Sequence, residues 1–332
     1  MTFPTGGWIE GSISDDVDAA VLRDEMDLLR TDVGRCGETL ALVVVHRGRL
    51  VAEHYAPSVS PTTPLISWSM AKSITDALVG MCVHDGLIDV GSPVAVEAWR
   101  DDERSSITMQ HLLEMRSGLR WVEDYVDGDT SDVIAMLFGS GKSDHAAYAA
   151  SCPLAASPGS TWLYSSGTTN VITRVLGDLL GDTGGSHEQM DELLRRLFGT
   201  LGMVAEPRFD AAGTFVGSSY VFASARDFAR FGYLYLNDGV WGDERLLPKG
   251  WVDHARRRHV VDVDSGLGYG SHWWTLPDEP DALVAAGYEG QHIVVCPSRA
   301  LVVVRLGKTP ADLRADLLAS LRRLVAAFPA TG

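Results

Sequence analysis

Apolar residues recur along this chain with two periods, and the change from one to the other divides it. Residues 14–29, SDDVDAAVLRDEMDLL, put Val17, Val21, Met26 and Leu29 on one face with acids in the first turn, which predicts an amphipathic helix. LALVVVH and LVAEHYA then flank RGR, a strand–turn–strand pattern. From Ser69 to about Asn237 the period is mostly helical, in SMAKSITDALVGMCVHDG, TMQHLLEMRSG, TNVITRVLGDLLG, MDELLRRLFG and ARDFARFGYLYLNDG. Several of these end in glycine, where a helix C-cap would sit. The intervening VEDYVDGDTSD and AASPGSTW are rich in turn formers and read as loops. Strands return in YGSHWWTL, ALVAAGY, GQHIVVCP and ALVVVRLG, with PSR as a tight turn between the last two. TPADLRADLLASLRRLVAAF closes the chain as a helix, with Thr309 as N-cap and Pro310 at the first helical position.

Strands at both ends of a helical middle predict an α/β (α+β) fold in which both termini build one mixed region, residues 1–68 and 240–332. Residues 69–239 would form a mainly helical region packed beside it. The 332 residues suffice for one large domain or two packed subdomains.

A net charge of −16 weighs against nucleic acid or an anionic membrane surface as partner. No apolar run reaches the length of a membrane span, and MTFPTGGWIEGS lacks the basic-then-apolar order of an export signal. Cys36, Cys82, Cys152 and Cys296 form no CxxC pair and read as reduced thiols, so the expected compartment is the cytoplasm. The ten histidines form no HExxH or HxH pair, and no glycine-rich phosphate loop follows a strand. The chain is therefore expected to use no metal and no cofactor, and to be a monomer or homodimer acting on a small molecule.

One helical segment does not fit a purely structural reading. PLISWSMAKSITDALVG is apolar, yet it carries Ser69 and, three residues later, Lys72. Residues three apart on a helix share a face. A serine hydroxyl becomes a good nucleophile when a neighbouring base takes its proton, and an amine serves once burial lowers its pKa. Arginine cannot serve, because it stays protonated. Of 28 basic residues in the chain only four are lysines, Lys72, Lys142, Lys249 and Lys308. A site needing only positive charge would then carry arginine, so Lys72 points to a deprotonable amine. Ser69 follows the extended TTPLISW and opens the helix, where the helix dipole favours developing negative charge.

With these residues in view, the chain resembles the β-lactamase-related serine hydrolases. That group takes in class C β-lactamases, D-alanyl-D-alanine peptidases, family VIII esterases and 6-aminohexanoate-dimer (nylon-oligomer) hydrolases. The resemblance runs from LALVVVHRGRLVAEHYAP through SWSMAKSIT, ITMQHLLEMRSGL and WLYSSGTTNVI to SARDFARFGYLYLNDGVW and GYEGQHIVVCP. It implies the β-lactamase/D-alanyl-D-alanine-peptidase-like fold, with an antiparallel sheet of about five strands covered by the terminal helices and a cleft between sheet and helical region. Ser69 is implied as nucleophile and Lys72 as its base. Tyr164, from YSS, is implied as a phenol lowered in pKa that shares proton handling. The family's Tyr-x-Asn holds Ser166 at its third position, a departure that argues against penicillin turnover. Its Lys-Thr-Gly element aligns with Tyr288–Gly290, expected on a strand, where Gly290 would let backbone approach the substrate and Tyr288 replaces the lysine. The amides of Ser69 and Gln291 are implied as the oxyanion hole.

In SGLRWVEDYVDG the nylon-oligomer branch is similar, which implies Tyr125 on a loop over the site, contacting the scissile amide. The acids Glu123, Asp124, Asp127 and Asp129 there would suit a substrate ammonium. The expected function is a serine hydrolase that forms an acyl-enzyme on Ser69 and cleaves a small amide or ester. A family VIII-type carboxylesterase or acyltransferase is the alternative. A β-lactamase or peptidase, or a non-catalytic sensor of the same fold, fits less well.

Overall fold

The structure, a computed structural model, describes residues 3–126 and 128–330. The first hairpin pairs β1 (Glu38–His46) with β2 (Arg49–Tyr55). Its two-residue turn needs positive φ at both positions, and Arg47 (φ 51°) and Gly48 (φ 74°) supply it. Six more strands follow late in the chain: β3 (Val260–Val261), β4 (Gly268–Tyr269), β5 (Trp274–Thr275), β6 (Leu283–Gly287), β7 (Gln291–Cys296) and β8 (Leu301–Lys308). All join one antiparallel sheet of order β2-β1-β8-β7-β6-β5-β4-β3.

The resemblance implied about five strands and the apolar pattern gave six segments; the sheet has eight, five long strands and three two-residue strands that extend one edge. Two of the three, β4 and β5, are short for a local reason. YGSHWWTL is broken by His272, which has φ 55° and whose ring is tied to the Leu113 carbonyl at 2.8 Å and the Thr169 hydroxyl at 3.0 Å.

The helices used below are α1 (Ala19–Thr31), α2 (Ala71–His84), α3 (Ser166–Leu180), α4 (Glu188–Leu201), α5 (Ala225–Leu236) and α6 (Arg314–Ala326). Asp18 caps α1 by accepting from the amides of Ala20 and Val21 at 3.1 Å. Gly181 and Gly202 end α3 and α4 in the left-handed conformation. The closing helix starts differently from expectation. A 3-10 turn, Ala311–Leu313, precedes α6, Pro310 is extended (φ −54°, ψ 155°), and Thr309 instead donates its hydroxyl to the Cys36 carbonyl at 2.6 Å.

Side chains of the long strands alternate between two apolar cores, which is why their sequences read as unbroken apolar runs. Leu42, Val44, Val294 and Val303 meet Leu22, Leu29, Leu317, Leu321 and Leu324 of α1 and α6 on one face. Val43, Val45, Ile293, Val295, Val302 and Val304 meet the helical remainder of the chain on the other. There α5 lies directly on the sheet: a methyl group at Gly232 would sit 2.7 Å from Val302 and 2.9 Å from Ile293. Although residues 225–236 fall within the span expected as helical region, they pack as a cover of the sheet. Among the described residues no helix is long and apolar enough to cross a membrane.

Candidate active site

Ser69 sits in a 3-10 turn, Trp68–Met70, that leads directly into α2. Trp68 before it has φ 43°, a conformation a bulky residue adopts only when its surroundings enforce it. Its ring is held near Tyr220 and Tyr288, at centroid distances of 6.0 and 5.7 Å. The turn also lies tightly against the end of β6. A methyl group at Gly287 would come within 2.5 Å of the Ser67 carbonyl and 3.2 Å of the Ser69 amide nitrogen. Gly287→Ala should therefore push the turn and strand apart by a good part of an ångström. A displacement of that size is expected to lower kcat by about 100-fold while the protein still folds, which steady-state kinetics alongside circular dichroism would check.

Lys72, in the first turn of α2, is buried (2% exposed). Its ammonium reaches three neutral oxygens at 3.0 Å each: Ser69 Oγ, Ser166 Oγ and the Ser218 carbonyl. With no carboxylate in direct contact, burial outweighs the more distant charge of Glu123 and brings its pKa down to about 8. Tyr164 precedes α3 and borders the same cavity as Ser69, with its ring 4.9 Å from Lys72 Nζ. Trp274 and Tyr269 flank that ring at 5.5 and 6.0 Å. The phenol's pKa lies well above its ordinary value, pushed up by burial and by Glu123. That direction is opposite to the lowering implied by the family resemblance.

Ser166 opens α3, whose N-terminus is capped by Ser165 accepting from the Thr168 amide at 3.0 Å. Its hydroxyl accepts from Lys72 and donates to Glu123 Oε1 at 2.5 Å. Glu123 also accepts from the Ser166 amide at 2.9 Å, and from the Trp121 indole and the Tyr125 phenol at 2.5 Å each. Sequence reasoning treated Glu123 as one acid of a charged loop. In the fold it is turned inward, and it connects Lys72, through Ser166, to Tyr125. The available signal was its place within WVEDY, two residues from each aromatic partner. Asp124 accepts from the Val126 amide at 2.7 Å; Asp127 lies outside the described residues.

Two cavities meet at Ser69. The larger, about 450 Å³, is lined by Tyr125, Tyr164, Trp274, Tyr288, Gly290 and Arg314 among others. The smaller, about 190 Å³, is lined by Trp68, Tyr125, Tyr288 and the apolar Ile134, Leu137 and Phe138. Tyr125 and Tyr288 border both, with ring centroids 5.0 Å apart.

Two expectations need correction. Tyr288–Gly290 is a 3-10 turn beyond β6 rather than part of a strand, because Glu289 (φ 59°) and Gly290 (φ 78°) are left-handed. Gly290 does border the larger cavity, but a methyl group on it would strike Leu317 and Arg305 at 2.5 and 2.9 Å. Close packing under α6 explains that glycine. Gln291 borders neither cavity. Its side chain is buried and donates to the carbonyls of Tyr288 (3.0 Å) and Gly307 (2.6 Å), and it accepts from the Gly307 amide (2.9 Å). The chain segment that approaches the Ser69 amide is Gly287–Tyr288, at the end of β6.

The chain is 24% identical to the 6-aminohexanoate-dimer hydrolase of Paenarthrobacter ureafaciens over 307 residues, 82% of this chain and 73% of that protein. A solved structure from Bacillus anthracis, assigned as a 6-aminohexanoate-dimer hydrolase, superposes with a TM-score of 0.76 at 22% identity. That match covers 90% of this chain and 81% of the other. A family VIII carboxylesterase superposes with a TM-score of 0.67 at 15% identity, over 95% of this chain and 99% of its own. The β-lactamase family pattern itself runs from residue 30 to residue 327, and with it every element that builds the two cavities: the chain belongs to the β-lactamase family.

Proposed function

We propose that the chain is a serine hydrolase cleaving a small amide or ester through an acyl-enzyme on Ser69. The observation that carries this reading is the buried amine of Lys72 3.0 Å from Ser69 Oγ, with Tyr164 beside both in the wall of the same cavity. In the proposed cycle Lys72, neutral, takes the hydroxyl proton as Ser69 Oγ bonds to the carbonyl carbon. The amides of Ser69 and Tyr288 hold the oxyanion; the close approach of Gly287 to Ser69 favours Tyr288 over Gln291 for this role. Collapse breaks the bond to the leaving group, which takes the phenol proton of Tyr164 while Lys72 returns a proton to that phenol. Water then repeats the sequence in reverse and frees Ser69.

Ser166 and Glu123 position Lys72, and Tyr125 covers the reacting bond. The sheet region (1–68 and 240–332) and the helical region (69–239) act as the walls of the cleft. The four unpaired, buried cysteines suit the reducing cytoplasm expected for this enzyme. A small amide like that of the 6-aminohexanoate-dimer hydrolase fits the aromatic cover, whereas Ser166, already engaged by Lys72 and Glu123, offers no side-chain amide for a β-lactam. Profiling over short-chain esters, aminohexanoate oligomers and a chromogenic cephalosporin tests the substrate class; turnover of the cephalosporin above the other two would refute it.

The pH dependence follows from Lys72. The base acts only when deprotonated, so kcat/KM should rise about tenfold per pH unit below a midpoint of about 8 and level off above it. Glu123 raises the lysine's pKa, so Glu123→Gln should move the midpoint to lower pH. A pH–rate profile for each protein checks both; an unmoved midpoint would remove Glu123 from the electrostatics of Lys72.

A further inference from the structure

His272 borders neither cavity, yet it joins the elements that carry the reacting groups. It is buried, and its carbonyl accepts the hydroxyl of Ser73, the residue after Lys72 in α2, at 2.8 Å. Its ring meets Thr169 Oγ1 at 3.0 Å, in the first turn of α3. Thr169 lies three residues beyond Ser166, on the same helix face. The amide and Nδ1 of His272 both point at the Leu113 carbonyl, at 3.0 and 2.8 Å. Two residues later, Trp274 lines the larger cavity and flanks Tyr164.

A carbonyl oxygen only accepts, so Nδ1 carries the ring proton and Nε2 accepts from the Thr169 hydroxyl. Burial and the Lys72 charge push the ring's pKa down to about 3, so the imidazole is neutral across the range in which Lys72 titrates. A neutral ring adds no second positive charge beside Lys72. With both nitrogens engaged and the backbone at φ 55°, a conformation few side chains adopt, the residue has one defined placement. We propose that His272 is a positioning residue, which through Ser73 and Thr169 fixes α2 against α3 and so keeps Lys72 within reach of both Ser69 and Ser166. This rests on the serine-hydrolase reading above, and the test separates the two.

The test cuts one link from each end. His272→Asn tolerates the left-handed backbone and keeps a donor for the Leu113 carbonyl, but its shorter side chain stops short of Thr169. Thr169→Val removes the same hydrogen bond with little change of shape. Each should lower kcat on 4-nitrophenyl acetate about tenfold, the worth of one buried hydrogen bond, with KM within about twofold. The double variant should fall no further than either single one, because the same link is lost in all three. Loosening the helices lets water reach Lys72 Nζ, so the midpoint of the pH–rate profile should rise above about 8 in each. Neither substitution touches the other groups that face Nζ, which are Tyr164 and, through Ser166, Glu123. Thr169→Ser, which keeps the hydroxyl, should restore both kcat and midpoint. Unmoved midpoints, or losses that multiply in the double variant, would overturn the proposal, while turnover by the wild type leaves the hydrolase reading standing. Absence of turnover by the wild type, with Ser69 unlabelled by a fluorophosphonate, would overturn both.

Discussion

Lys72→Arg is expected to lower kcat/KM on an activated ester by about 10³-fold although it keeps the positive charge, the range seen when a positioned base is lost. Three oxygens 3.0 Å from Nζ are arranged around a compact ammonium, and a planar guanidinium cannot satisfy them in the same volume. More decisively, a guanidinium does not deprotonate in the accessible pH range, whereas burial has brought the lysine to about 8. The loss should therefore persist as pH is raised from 7 to 10, while the wild-type rate climbs and levels. A variant within tenfold of wild type, or one that recovers with rising pH, would refute the amine-base role.

Ser69→Ala is expected to remove turnover altogether, by about 10⁶-fold where the nucleophile of a covalent hydrolase is deleted. Little of the fold depends on the hydroxyl. The Trp68–Met70 turn is held by backbone bonds and by the Ser67 hydroxyl, which donates to the Ser219 carbonyl at 3.1 Å and accepts from the Val221 amide at 3.1 Å. Thermal unfolding should stay within a few degrees of wild type, so that lost activity reads as lost chemistry.

The long elements were legible from period alone, because each has a core face whose spacing shows in the sequence. The 38–55 hairpin and the strands at 283–308 were found this way. What period could not show lies where backbone geometry departs from regular structure. The break at His272, the left-handed Glu289 and Gly290, and the extended Pro310 each depend on partners distant in the chain. The site divides similarly. Ser69 and Lys72 were readable because they are three residues apart and lysine is rare; Tyr164 followed from the family motif. Glu123 was visible only as charge, since its inward turn is set by Ser166, 43 residues later. The backbone amide of Gln291 was expected opposite that of Ser69 from its place after a glycine, whereas the residue that lies against the Ser69 amide is Gly287, at the end of β6.

The most direct test of an acyl-enzyme on Ser69 is covalent. The protein, incubated with a fluorophosphonate at pH 9 and digested, would be mapped by mass spectrometry. One adduct is predicted, on the peptide that contains Ser69, absent from Ser69→Ala and formed more slowly as pH falls below about 8. An adduct on another residue, or none while ester turnover continues, would contradict the account.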